Sequence, residues 1–249
     1  MLDSIAEFVQ KQGVSSVLGL VGVGLCAFLG FGFVVSQVEP AQPLISGIGM
    51  LVLALPAVVG LYLVYGWRGV LAYVGLALFG LMIETAAITT GIPYGSFTYH
   101  GALGYRLFGV VPWTLTLAWP PLVLTSAIAA RRLHWSWFGT SVIAVLLLVA
   151  MDAVLDPGAV ALGFWSWTHG GVYYAVPLSN YLGWCFSASV GIYLVYKWLP
   201  SLDMRLVAMS GIFSVAFWCG IVLGFGFVLP SLIGCILLSY FGWAFLRRA

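Results

Sequence analysis

Residues 206–246 contain no charged side chain. A run of about 40 residues is twice what an α-helix needs to cross a ~30 Å hydrocarbon layer at ~1.5 Å per residue. Nothing in a water-soluble fold hides such a stretch, and the remainder of the chain has the same character. It is 63% hydrophobic and 6% charged, with a mean hydropathy of +1.11. A soluble domain so poor in charge would present its surface as one apolar patch. The chain therefore reads as an all-α polytopic membrane protein, a single transmembrane domain over residues 1–249 with a short polar N-terminal segment at 1–14. That segment is polar and acidic and lacks the basic start and apolar core of a cleavable signal.

Apolar runs place helices near 16–36, 44–65, 70–90, 108–129, 137–155, 178–198, 205–224 and 228–246. The last two divide the uncharged run at "GFGFVLP", with Pro230 just inside the second. Charge supports this count independently. With eight crossings Lys11, Arg68, Arg131, Arg132, Lys197, Arg205, Arg247 and Arg248 share one side, and Arg106 alone lies on the other. By the positive-inside rule both termini are then cytoplasmic. Two outer connections are long, Gly91–Val111 and Pro157–Pro177, which makes the outer face the expected working face.

Those two connections resemble each other. "GSFTYHG" from Gly95 lies eleven residues after Glu84, and "GFWSWTHGG" from Gly163 lies eleven after Asp152. Phe97 and Trp165 each stand thirteen after their acid, Tyr99 and Trp167 fifteen, and a Val-Pro follows both loops. The spacing suggests a parallel internal repeat of helices three and four with five and six, over about 70–129 and 137–198. Measured from the expected helix starts, Glu84 lies ~21 Å and Asp152 ~22 Å into the layer, at matched depth. Ionisable groups within a span are functional candidates, because inserting one costs at least ~2.5 kcal/mol. The alternative is that they hydrogen-bond a neighbouring helix as packing contacts.

Asp156, one turn beyond Asp152, stands in an Asp-Pro-Gly sequence that reads as a helix-ending turn, so it either joins the site or satisfies the loop backbone. His100 and His169 belong to the loops, and no HxH or HxxxH spacing marks a metal site. Trp113, Trp165, Trp167 and Trp184 are either interfacial-belt residues or the walls of a pocket beside the acids. Asn180 is expected as a helix cap facing the same region. Pro120 and Pro121 are expected to kink the fourth helix and open space there. The two lysines, Lys11 and Lys197, are not in mid-span, which leaves a retinal Schiff base without an anchor. No histidine lies mid-helix for haem. The four cysteines lie in apolar runs without a CxxC and read as packing residues. A net charge of +2 without a basic cluster gives no reason to expect nucleic acid.

Taken together, "ETAAITTGIPYGSFTYH", "VVPW", "MDAVLDP", "GFWSW" and "GVYYAVPLSNYLGW" resemble the carotenoid biosynthesis family of membrane hydratases. The likeness runs from Glu84 to Trp184 through the elements D-x-x-x-D-P, W-x-W and V-P-x-x-N-x-x-G-W. It implies addition of water across the terminal double bond of an acyclic carotenoid, in the cell membrane and without a cofactor or metal. Other carotenoid biosynthesis enzymes are possible partners beside the bilayer. Such a reaction needs a proton donor in an apolar place, a stabiliser for a tertiary cation and one positioned water. A carboxyl group held in an apolar site suits the first role, a second carboxylate the handling of water, and aromatic faces the cation. The expectation is Asp152 or Glu84 as donor, with the other or Asp156 handling water. Tyr94, Trp113, Trp165, Trp167, His169, Asn180 and Trp184 are the expected substrate-binding residues. A carotenoid end-group cyclase, or a lipid or carotenoid binding or transport protein, are the alternative readings.

Overall fold

A computed structural model describes residues 14–36, 43–133, 135–200 and 204–246. Most of the polar segment expected at 1–14, with Lys11, Arg247 and Arg248, lies outside them. Among the described residues eight α-helices follow in chain order. They are α1 (Val14–Val35), α2 (Pro43–Tyr65), α3 (Trp67–Thr90), α4 (Leu115–Arg131), α5 (Trp137–Ala161), α6 (Leu178–Trp198), α7 (Arg205–Gly224) and α8 (Val228–Leu246). Six of the eight, all but α4 and α6, are long and apolar enough to cross a membrane. Helices α4 and α7 are the inner pair. Every residue of α4 from Trp119 to Ala130 is buried, and α7 touches α1, α2, α4, α5 and α8.

The uncharged run breaks where expected, at Phe225–Phe227, with Gly226 in the left-handed region at φ 70°. Two other boundaries differ. The fourth helix begins at Leu115 rather than 108, because Arg106–Leu107 (β2) and Val111–Pro112 (β3) form a small antiparallel hairpin first. The fifth does not end at Asp156-Pro157-Gly158 but continues a further turn to Ala161. Proline removes the N–H that would bond the carbonyl four residues back, here Ala153. Tyr173 donates its hydroxyl to that carbonyl at 3.0 Å, so the helix passes through Pro157 without an orphaned acceptor.

The same repair recurs. Pro121 frees the carbonyl of Leu117, which accepts from Tyr73 Oη at 2.9 Å. Beside Pro56, the Ala57 N–H donates to Ser210 Oγ at 2.8 Å. In an apolar layer no water can satisfy such groups, so hydroxyls from neighbouring helices do.

The two long connections meet. Phe97–Tyr99 (β1) pairs antiparallel with Trp165–Trp167 (β4), with Phe97 opposite Trp167, Thr98 opposite Ser166 and Tyr99 opposite Trp165. Positions that the sequence makes equivalent are thus cross-paired about Thr98 and Ser166. Strand alternation turns all four aromatic rings to the buried side and leaves Thr98 and Ser166 exposed.

Candidate functional site

The buried face of the β1–β4 ribbon roofs a cavity of about 50 Å³. Ring contacts hold the roof together: Phe97–Trp167 and Tyr99–Trp165 are both 5.7 Å between centroids. Beneath it Glu84 on α3 and Asp156 on α5 line the same cavity, with Tyr94, Asn180 and Trp184 beside them. Trp119 and Trp218 enter from α4 and α7.

Helix ends explain why these two acids meet. Helix α3 stops at Thr90 and α5 at Ala161, so Glu84 lies six residues before its end, Asp156 five and Asp152 nine. Counted back from the helix ends, Asp156 is the closer match to Glu84. Asp152 sits one turn deeper, wholly buried, and does not line the cavity. It reaches the site through Asn180, whose Nδ2 donates to Asp152 Oδ2 at 3.0 Å and to Asp156 Oδ2 at 2.5 Å. Asn180 is three residues into α6, not its cap. Pro177 occupies the cap position, which frees the amide for the acids. The shared amide thus holds the two aspartate carboxyls side by side.

Glu84 is held from the roof. Tyr99 Oη donates to Glu84 Oε2 at 2.8 Å, and Arg106 Nη2 donates to the Tyr99 carbonyl. Burial first, and the neighbouring Glu84 second, push the Tyr99 phenol well above its ordinary value, so it stays a donor. Tyr94 Oη donates to Ser187 Oγ at 2.9 Å, and its carbonyl accepts from Trp167 Nε1 at 3.0 Å. Gly183 allows this packing, since a Cβ there would lie 2.5 Å from the Tyr94 ring and 2.6 Å from the Pro93 carbonyl oxygen.

Of the other residues named from sequence, Trp113 is half-buried against Gly47 and Gly104 and does not line the cavity. His169 is exposed and likewise apart from it. His100 is exposed, with Nε2 3.0 Å from Ser166 Oγ on the outer side of the roof. Residues that the sequence did not single out as site residues are Phe97, Tyr99, Trp119 and Trp218. For Phe97 and Tyr99 the signal was their spacing from Glu84; Trp119 and Trp218 come from apolar runs that carry no signal. Among the described residues no three His, Cys, Asp or Glu side chains come together as a metal-binding group. Chemically, the arrangement offers a carboxyl pair bridged by an amide, a single carboxyl held by a phenol, and aromatic faces around the space between them.

A family model described as "Carotenoid biosynthesis protein" matches residues 42–241. A bisanhydrobacterioruberin hydratase of Haloarcula japonica is 39% identical over 150 residues, which are 59% of this chain and 51% of that protein. The chain thus spans about half the length of the curated relative it matches. No solved structure matches it.

Proposed function

The chain belongs to the carotenoid biosynthesis protein family, and from that premise we propose that it hydrates the terminal double bond of an acyclic carotenoid end group. The observation that carries the reading is that Glu84 and Asp156, from different helices, line one aromatic cavity. The hydratase named among its relatives supports the choice of reaction.

In this reading the Asp152–Asp156 pair supplies the proton through Asp156, the member at the cavity. The Asn180 amide donates to both carboxyls and holds them side by side, an arrangement suited to sharing one proton. The proton adds to the less substituted carbon of the double bond, and the electron pair of that bond forms the new C–H bond. The tertiary cation left behind lies against the faces of Trp165, Trp167, Tyr94 and Trp184, an attraction of roughly 2 kcal/mol when desolvated. Water then adds its oxygen to the cation, and Glu84, fixed by Tyr99, takes the released proton. A cavity of about 50 Å³ has room for that water beside the acids. Asp156 gives up one proton and Glu84 gains one, so a proton must pass between them before the next turnover. No cofactor takes part, and the activity is that of a hydro-lyase in the membrane. Eight crossings, cytoplasmic termini and a site at the outer rim complete the proposal.

Membranes carrying the protein, incubated with lycopene in water enriched in heavy oxygen, are expected to yield a tertiary alcohol carrying that oxygen. A cyclised isomer of unchanged mass with no alcohol would instead mark a cyclase, and unaltered pigment would sink the enzymatic reading.

A further inference from the structure

Among the described residues four buried side-chain polar atoms make no hydrogen bond: Ser46 Oγ, Trp119 Nε1, Asp152 Oδ1 and Tyr181 Oη. One of the four residues, Trp119, lines the cavity. It is 3% exposed, and an indole N–H is a donor that buried tryptophans normally satisfy. Four other donors around the cavity are committed. Tyr99 serves Glu84, Tyr94 serves Ser187, Trp167 serves the Tyr94 carbonyl, and Asn180 serves both aspartates.

The ring is also held from behind by residues that do not touch the cavity. A Cβ at Gly80 on α3 would stand 3.2 Å from Trp119 Cγ, and one at Gly191 on α6 would stand 2.6 Å from its Cη2. Phe79 packs edge-on at 5.3 Å between centroids. Two helices thus give up side chains where the indole lies, and its orientation is fixed by packing rather than by a hydrogen bond.

We infer that Trp119 Nε1–H donates to the oxygen that adds to the substrate, first as water and then as the product hydroxyl. The inference rests on the hydration reading and assigns a residue to its second step. A water oxygen has two lone pairs. One accepts from Trp119 and the other faces the cation, while one O–H points to Glu84. The C–O bond forms from the second lone pair, and that O–H bond breaks with its proton passing to Glu84. A cation that is not captured loses a neighbouring proton and returns to an alkene of unchanged mass. Trp119 therefore sets the partition between alcohol and alkene.

The test is Trp119→Phe in an acyclic-carotenoid-producing host, with pigments analysed after growth and after incubation of membranes in deuterated water. The variant keeps the ring packing and deletes the N–H. Hydrated product is expected to fall about tenfold, as for one lost hydrogen bond. The ratio of alkene isomers to alcohol should rise, while deuterium still enters the recovered alkene because protonation is intact. Wild-type rate and ratio in the variant would overturn the inference. Joint loss of hydration and deuterium entry would overturn it as well, since the ring would then serve protonation or folding. If the wild-type protein itself shows neither alcohol nor deuterium entry, it is the hydration reading that fails.

Discussion

Two acids that the sequence treats unequally exchange rank once the helix through them is seen whole. Asp152 looked like the partner of Glu84, and Asp156, before Pro157, read either as a site member or as a helix-ending residue. The structure turns Asp156 into the cavity and leaves Asp152 behind it, joined through Asn180. What decided this was a hydroxyl seventeen residues beyond Asp156, that of Tyr173, which satisfies the carbonyl Pro157 frees. Local turn chemistry could not reveal a partner so far along the chain. The Glu84 side was more legible, because Tyr99 stands at a spacing shared with Trp167 and proves to be the hydroxyl that holds Glu84. Tyr99→Phe keeps the ring against Trp165 but removes that donor. Initial hydration rates in isolated membranes are expected to fall roughly tenfold to a hundredfold, the range for a hydrogen bond to a charged group. An unchanged rate would detach Tyr99 from the chemistry.

At the level of elements, the helices were legible from apolar runs alone, and the ends that failed did so for identifiable reasons. The start of α4 was placed too early because "LFGVVP" is apolar, yet it forms the β2–β3 hairpin, where Phe108 and Gly109 take positive φ. The V-P-x-x-N-x-x-G-W element resolves into separate physical duties. Pro177 starts α6, Asn180 binds the acids, Gly183 admits Pro93 and Tyr94, and Trp184 lines the cavity. The carbonyls freed by Pro121 in α4 and Pro157 in α5 are satisfied by Tyr73 and Tyr173, and beside Pro56 in α2 Ser210 accepts from Ala57. Tyr173→Phe should therefore lower stability by about 1 kcal/mol, seen as an earlier thermal transition in detergent, and reduce hydration by loosening the turn that carries Asp156. The exposed Tyr62, changed to Phe, serves as the control and should alter neither.

Six helices are long and apolar enough to cross a membrane, and two of these, α3 and α5, carry the acids, while α4 and α6 bring Trp119, Asn180 and Trp184 to them. Glu84, Asp156 and the roof all gather at the end of the bundle where α3 and α5 finish and α4 and α6 begin. At the opposite end Arg131 on α4 donates to the Pro200 carbonyl just beyond α6 and lies over the Tyr196 ring. Composition pointed to membrane-spanning helices, and loop resemblance pointed to the roof. The joining of α3, α5 and α6 around one cavity depends on helix packing, which apolar runs do not encode. The most direct measurement is the mass of pigments from a lycopene-making host that expresses the wild-type chain, Glu84→Gln or Asp156→Asn. The account predicts a gain of one water per reacted end with the wild-type chain, and hydration lowered roughly a hundredfold or more in each variant. Wild-type hydration persisting in both variants would contradict it.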